Sequence, residues 1–254
     1  MDNIVWYRNI PTIIPMIVSI LALLFSFGTT YVSNKRTAVQ DIQNAKINLR
    51  TVLQKLTDLP SKNMELSRKY KDDAQAYSFF SGQITQETGL LVAQADEIIK
   101  GIPKNRITSV ELYSIGLGFQ GNYEYERALD YFKESYKIAE KANNFSVAIA
   151  SKRGEANILF VNGKPDEGRE VFDEAMKIFN KFNRFNEFTK NFTNIITLLN
   201  WAGAEAGTGN LKTAEEKINE ARNLANSLLP GPMKIQLKNQ IEQTYNQIIT
   251  IKPK

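Results

Sequence analysis

The sequence predicts an all-α protein in which an N-terminal transmembrane helix is followed by an α-solenoid of antiparallel helix hairpins. Three observations predict this fold. A long uncharged stretch lies near the N-terminus, glycine-containing turns recur at spacings of about 40 residues, and a small–large–small pattern of side chains follows each turn. No strand-like alternation of useful length interrupts these patterns.

The uncharged stretch is long enough to cross a membrane as a helix. No Asp, Glu, Lys or Arg lies between Arg8 and Lys35, and the apolar centre, residues 10–32, has 23 residues. At about 1.5 Å per residue it reaches roughly 35 Å, which exceeds a hydrocarbon core of about 30 Å. A cleaved signal peptide is the alternative, but the apolar run is long for one and only one basic residue precedes it. We therefore expect a short tail over residues 1–9 and a lipid-spanning anchor over residues 10–32.

Charges beside this segment indicate its topology. Lys35 and Arg36 follow it directly, whereas Asp2 offsets Arg8 on the other side. The positive-inside rule then favours a single-pass protein of the cell (inner) membrane with its large domain in the cytoplasm. The opposite topology, with the domain outside, stays open as the alternative.

Residues 33–60 predict a basic amphipathic juxtamembrane helix with an apolar seam. The seam consists of Ile42, Leu49 and Leu56, with Ala45, Val52 and Leu59 at the companion heptad positions. Such a seam either forms a homodimeric coiled coil over residues 38–59 or packs on the next helix of the same chain. Three heptads are short for a coiled coil, which favours the second reading. Pro60 is expected to end this helix.

Three similar turn sequences each follow one helical pattern and open another. They are Gly121-Asn122-Tyr123, Gly163-Lys164-Pro165 and Gly209-Asn210-Leu211, with a weaker member at Gly82. Glycine adopts the left-handed conformation that ends many helices. A period of about 40 residues with two helices per unit predicts a solenoid. We expect a degenerate hairpin over residues 61–101 and three hairpins over residues 102–229.

The second helix of each hairpin carries a small, a large apolar and a small residue at gaps of four and three. These triplets are Ala128, Phe132 and Ser135; Gly168, Phe172 and Ala175; and Ala214, Ile218 and Ala221. The gaps place each triplet on one helical face, where small residues allow close helix approach. In the first helices, Gly116, Ala156 and Ala202 are expected to make the matching contact. A last helix over residues 230–254 is expected to cap the open end of the stack.

The turns and triplets resemble those of the tetratricopeptide (TPR) family over about residues 108–229. The resemblance implies a right-handed solenoid that binds a protein or peptide on a concave face lined by the first helices. The repeats are longer than the usual 34 residues of that family, and Glu124-Tyr125 look like two extra residues after the first turn. In both respects the sequence resembles the longer-repeat members of the superfamily.

The resemblance also marks candidate partner-binding residues. In that family a basic residue followed four positions later by Asn can hold a peptide carboxylate, and Arg153 and Asn157 match this pair. The next unit has Leu199 and Gly203 instead, so a solvated surface pair is the alternative. The residues that we expect on a concave apolar surface are Tyr113, Phe119 and Phe160. A run of aromatics, Phe179, Phe182, Phe185, Phe188 and Phe192, is expected to pack between hairpins, with an exposed groove floor as the alternative.

Composition narrows the function. The chain has no Cys and no His, which excludes Ser-His-Asp and Cys-His nucleophile systems and His or Cys zinc sites. No phosphate-binding or dinucleotide motif is present, so we expect no catalytic residues, cofactor or metal, and an enzyme is a remote alternative.

The net charge is +5, and most of it lies in residues 33–80, which hold nine Lys or Arg against five Asp or Glu. The rest is nearly neutral, so we expect no nucleic-acid partner. The favoured function is a membrane-anchored interaction module or scaffold. An extracytoplasmic envelope-assembly factor of opposite topology is the alternative.

Overall fold

The computed structural model describes the backbone of residues 10–181 and 186–251, and the side chains of residue 33 and of residues 35–181 and 186–250. This part of the chain forms nine α-helices and two short 3₁₀ turns, so the all-α prediction is confirmed. The helices are α1 (Ile10–Lys69), α2 (Ala74–Lys100), α3 (Ser109–Gly121), α4 (Tyr125–Lys141), α5 (Phe145–Val161), α6 (Pro165–Lys177), α7 (Glu187–Gly207), α8 (Leu211–Ser227) and α9 (Pro232–Ile251). The 3₁₀ turns are Lys104–Arg106 and Ile178–Lys181.

The prediction of a transmembrane helix over residues 10–32 is wrong. Within the described residues, no helix combines the length and the apolar character that crossing a membrane requires. Residues 10–32 form no separate apolar element, because α1 continues unbroken to Lys69 through a charged and polar stretch. The single-pass membrane localisation that rested on this helix is wrong with it. Residues 1–9 and the side chains of residues 10–32 lie outside the described part of the chain.

The predicted end of the first helix at Pro60 is also wrong. A proline inside a helix removes one hydrogen bond, which neighbouring turns can offset when packing holds them. Here Leu56 and Leu59, in the turn before Pro60, are buried. The Leu56 Cδ1 atom lies 3.5 Å from the point where a Cβ on Gly118 of α3 would stand. This part of the seam therefore packs within the chain, and the homodimer over residues 38–59 stays a prediction.

α2 is one uninterrupted helix. The Asp73 side chain caps its start by accepting a hydrogen bond of 2.9 Å from the Ala76 N–H. Gly82 lies inside the helix and forms no turn, so the turn predicted there is wrong. The link between α1 and α2 is instead the short segment 70–73.

Helices α2–α9, here called the stack, pack in chain order, each against the next. The stack belongs to the second of two compact units, Arg50–Lys254, the first being Met1–Leu49. The first helices of successive hairpins also contact one another: α3 with α5, α5 with α7 and α7 with α9. No comparable contact joins α4, α6 and α8 to one another in the described residues. This packing is compatible with a helical-repeat solenoid that curves toward its first helices.

The three hairpin turns share one backbone conformation. Gly163 (φ 74°) and Gly209 (φ 83°) are left-handed as predicted, whereas Tyr123 (φ 64°) takes this position in the first turn. Gly121 is the last residue of α3, so its predicted turn role is wrong by two positions. The shift also removes the predicted insertion of Glu124-Tyr125, since α4, α6 and α8 each begin two residues after the left-handed residue.

All nine residues of the small–large–small triplets are buried, as predicted. Phe132 shows why small neighbours are needed, because its ring lies between Gly116 of α3 and Gly154 of α5. A Cβ built on Gly116 would stand 2.8 Å from the ring, and one built on Gly154 would stand 2.7 Å from it. Both distances are shorter than carbon atoms tolerate without bonding, so the ring fills a slot that only glycine leaves open.

The C-terminal helix and the aromatic run complete the core. α9 packs on α7 and α8, with Leu237, Ile241 and Ile248 no more than 2% exposed. Of the aromatic run, Phe179 is buried as expected, Phe192 is half-buried and Phe188 is 43% exposed. Phe182 and Phe185 lie outside the described residues.

Candidate functional site

One row of side chains on the first helices stays partly open to solvent, at helical spacings of three and four. This row, the inner strip, consists of Val110, Tyr113 and Leu117 of α3; Ala150, Arg153, Asn157 and Val161 of α5; and Gly203 of α7. The first helices lie side by side, so the row crosses the face that would be concave in a solenoid of this packing.

The inner strip is mainly apolar despite its exposure. Val110 is 50% exposed, Leu117 is 44% exposed and Val161 is 56% exposed. Single exposed apolar residues are ordinary, but a row of them on one concave face is typical of an interaction site. These three residues were absent from the sequence prediction. Their helical spacing is the signal that could have found them.

Arg153 is the one charged residue of the inner strip. It is half-buried, and its side chain has no ion pair and no hydrogen bond within the described residues. Burial lowers the pKa of the Arg153 guanidinium, and only the nearby Tyr113 acts in the opposite direction. A half-buried cation is normally paired with an anion or bound by several hydrogen-bond acceptors.

Other half-buried cations of the stack illustrate that rule. Lys152 pairs with Glu155 and Glu174, Arg169 with Glu205, Lys217 with Glu220, and Arg222 with Glu242, while Lys234 donates to two backbone carbonyls. Arg153 differs from all of them, so its donors remain available to a group from outside the described chain.

Tyr113 and Asn157 provide the other polar groups of the strip. The Tyr113 ring lies against Phe132, with centroids 5.7 Å apart. Burial raises the pKa of the Tyr113 phenol while Arg153 opposes the rise, so the phenol stays neutral and can donate a hydrogen bond. Asn157 follows Arg153 by one helical turn and has no side-chain hydrogen bond within the described residues. The predicted residues Tyr113, Arg153 and Asn157 thus share one face and offer a phenol, a guanidinium and an amide.

The other two predicted site residues are not on this face. Phe119 is 0% exposed and Phe160 is 3% exposed. Phe119 stacks on Tyr131 with centroids 5.5 Å apart, and Phe160 packs against Phe172 at 6.0 Å. Their assignment to a concave apolar surface is wrong because both rings fill the core between adjacent helices.

The neighbouring unit does not repeat the charge of Arg153. Leu199, which holds the matching place in α7, is 5% exposed, and Gly203 faces open space. In α3 the corresponding places are held by Tyr113 and Leu117. The strip therefore presents one cation between apolar surfaces rather than a row of charges.

Two buried carboxylates outside the inner strip, Asp96 of α2 and Glu205 of α7, are engaged by side chains of α4 and α6. Asp96 accepts from Arg127 and Tyr131, each at 2.6 Å, and pairs with Lys100 at 2.8 Å. Glu205 accepts two hydrogen bonds of 2.7 Å from Arg169 and one of 2.9 Å from the Trp201 indole. Each carboxylate joins two helices through residues more than 30 positions apart, which makes it a structural tie.

The described residues hold no cluster of three or more Asp and Glu side chains with the geometry of a metal site. Comparisons of the chain with models of protein families, with curated proteins and with solved structures give no match.

Proposed function

We propose that this chain is a TPR-like helical-repeat module that binds a protein or peptide partner along its inner strip and performs no catalysis. The segment bound would carry apolar side chains and one acidic group. The observation that carries this proposal is Arg153, a half-buried cation without a partner, set in an exposed apolar row.

Two physical points support the assignment of this chemistry. Exposed Val110, Leu117 and Val161 would gain from being covered by apolar side chains, at about 25 cal/mol per Å² removed from water. A carboxylate beside Arg153 and Asn157 would receive charge-assisted hydrogen bonds, which are roughly twice as strong as neutral ones. The apolar row supplies affinity, and the single cation fixes the register of the bound segment.

Site-specific photocrosslinking tests where the partner binds. A photoreactive amino acid replaces Leu117 in the strip or, as the matched control, exposed Lys177 on α6. We expect one defined crosslinked protein from the strip position and none of it from the control. Equal crosslinking from both positions, or crosslinking from α6 alone, would contradict the proposal.

The segment mapped in this way is then synthesised and titrated into the purified chain. Arg153→Gln keeps the size and polarity of the side chain but removes its charge, and should weaken binding by about tenfold. Replacing the acidic residue of the peptide by its amide should produce the same loss. An unchanged dissociation constant in Arg153→Gln would refute the assigned role of the cation.

A further inference from the structure

An open apolar cavity lies away from the inner strip, where the C-terminal end of α2 and the start of α3 meet α4. Its volume is about 320 Å³, close to the lower end of the range of about 300–1,000 Å³ found for small-molecule sites. It is lined by Ile99, Lys100, Ile102, Lys104, Ile107, Leu112, Tyr131, Glu134 and Ile138. Four isoleucines and a leucine therefore form most of its surface.

The polar groups inside the cavity are already satisfied by the protein. The Tyr131 hydroxyl donates to Asp96 at 2.6 Å, and the Lys100 ammonium lies 2.8 Å from both Asp96 and Glu97. The ring of Tyr131 and the methylenes of Lys100 add apolar surface to the cavity. The interior thus behaves as an aliphatic surface, although it contains a phenol and an amine.

The mouth of the cavity has the opposite character. Lys104 stands at its edge, is exposed, and has no ion pair or side-chain hydrogen bond within the described residues. Arg106, in the same 3₁₀ turn, is likewise exposed and unpaired there. The one carboxylate of the lining, Glu134, lies 3.7 Å from the Lys137 ammonium. The mouth therefore carries positive charge that nothing in the described stack neutralises.

We propose that this cavity binds a single-chain aliphatic carboxylate, with its chain along the isoleucine floor and its head group at Lys104. A methylene occupies roughly the volume of a liquid water molecule, about 30 Å³, so the cavity accommodates a chain of about ten carbons. A single aliphatic chain suits this surface because most of the lining side chains are aliphatic. This site is separate from the inner strip and does not depend on the function proposed for it.

Isothermal titration of the full chain with decanoate, below the concentration at which micelles form, tests the proposal. We expect saturable binding of one decanoate per chain. Decylammonium, which has the same chain and the opposite charge, should bind at least about tenfold more weakly. Methyl NMR of isoleucine-labelled protein should show decanoate-induced shifts at Ile99, Ile102 and Ile107. Equal binding of the two probes, or shifts confined to other isoleucines, would overturn the proposal.

Two variants test separately the contact with the carboxylate head group and the contact with the aliphatic chain of the ligand. Lys104→Glu should weaken decanoate binding by about tenfold or more, whereas Lys133→Glu, an equally exposed charge reversal on α4 outside the cavity, should leave it unchanged. Ile138→Trp fills the cavity and should abolish binding. Because Ile138 is half-buried, its variant is checked by circular dichroism, and if it unfolds, Lys104→Glu decides. Wild-type affinity in Lys104→Glu refutes the site.

Discussion

Arg169 and Arg153 are two half-buried guanidinium groups on the two helices of one hairpin, α6 and α5, and their surroundings are opposite. Arg169 reaches across to α7, where two hydrogen bonds of 2.7 Å hold the fully buried carboxylate of Glu205. Arg153 lies in the inner strip and meets no carboxylate in the described residues. The first cation closes a junction between hairpins, and the second leaves its donors open.

The difference allows stability and the proposed binding to be tested separately. An ion pair buried between helices restricts both partners, so losing one of them strands the other. Arg153 makes no such pair within the described residues, so its removal strands no carboxylate there. Substitutions of matched size at these positions should therefore differ sharply in their effect on stability.

The largest effect is expected for Arg169→Met. Removing this arginine leaves the Glu205 carboxylate buried with only the Trp201 N–H and weaker contacts, which should lower the free energy of unfolding by about 3 kcal/mol. Denaturant unfolding followed by circular dichroism measures the loss. The double variant Arg169→Met, Glu205→Gln should recover part of it. A loss below about 0.5 kcal/mol in the single variant would show that the pair is not a structural tie.

A smaller loss, about 1–2 kcal/mol, is expected for Arg127→Met. Asp96 keeps its bonds to Tyr131 and Lys100, so its charge is not stranded. The variant also loses the contact of the Arg127 guanidinium with the Phe119 ring, 3.8 Å from its centroid. Thermal and urea unfolding give the value. A loss equal to that of Arg169→Met would contradict the idea that the number of remaining partners sets the cost.

Acidification should reveal the same ties with a smaller effect. Burial alone would raise the pKa of Asp96, but hydrogen bonds from Lys100 and Tyr131 and the charge of Arg127 lower it below its ordinary value of 3.8. Burial alone would also raise the pKa of Glu205. Hydrogen bonds from Arg169 and Trp201 outweigh the effect of burial and lower this pKa below its ordinary value of 4.5. The stability that these groups contribute is present above the ordinary values and is lost as the pH falls through the lowered ones.

Urea unfolding of Asp96→Asn and the wild type between pH 6 and about pH 3 tests this sign. The gap in stability between the two proteins should narrow as the pH falls below about 4. A gap that widens on acidification would mean that the folded protein holds Asp96 protonated.

The smallest effect is expected for Arg153→Met. Methionine keeps an apolar stem of similar length and removes a half-buried charge without a partner, so stability should stay within about 0.5 kcal/mol of wild type or rise slightly. The same variant should lose binding of the segment mapped by crosslinking. A destabilisation of more than about 1 kcal/mol would show that Arg153 serves the fold.

The sequence predicts the core of the stack better than its surface. Triplets such as Ala128, Phe132 and Ser135 are recognisable because close packing demands small residues at fixed helical spacing. The position of the first turn is predicted wrongly because glycine is the usual left-handed turn residue and Gly121 lies two residues before the actual one. That residue is Tyr123, which adopts a left-handed conformation that a β-carbon disfavours.

This shift of two residues explains part of the error in the predicted partner-binding residues. With Tyr123 as the turn residue, Tyr113 and Leu117 align with Arg153 and Asn157, and the row across the concave face becomes visible. The aromatic rings of Phe119 and Phe160 pack between helices in this chain, and nothing in their local sequence distinguishes such rings from surface ones. The ties Asp96–Arg127 and Glu205–Arg169 join residues more than 30 positions apart, and no local pattern encodes such a pairing.

The Phe132 ring, held between Gly116 and Gly154, has a consequence for the mechanics of the stack. A rigid aromatic plate in a slot with no spare width resists sliding of α3 past α5, because any displacement drives carbon atoms into repulsive contact. Elastic bending of the stack should therefore be small at the junction of α3, α4 and α5, where the ring already fills the space beside both glycines.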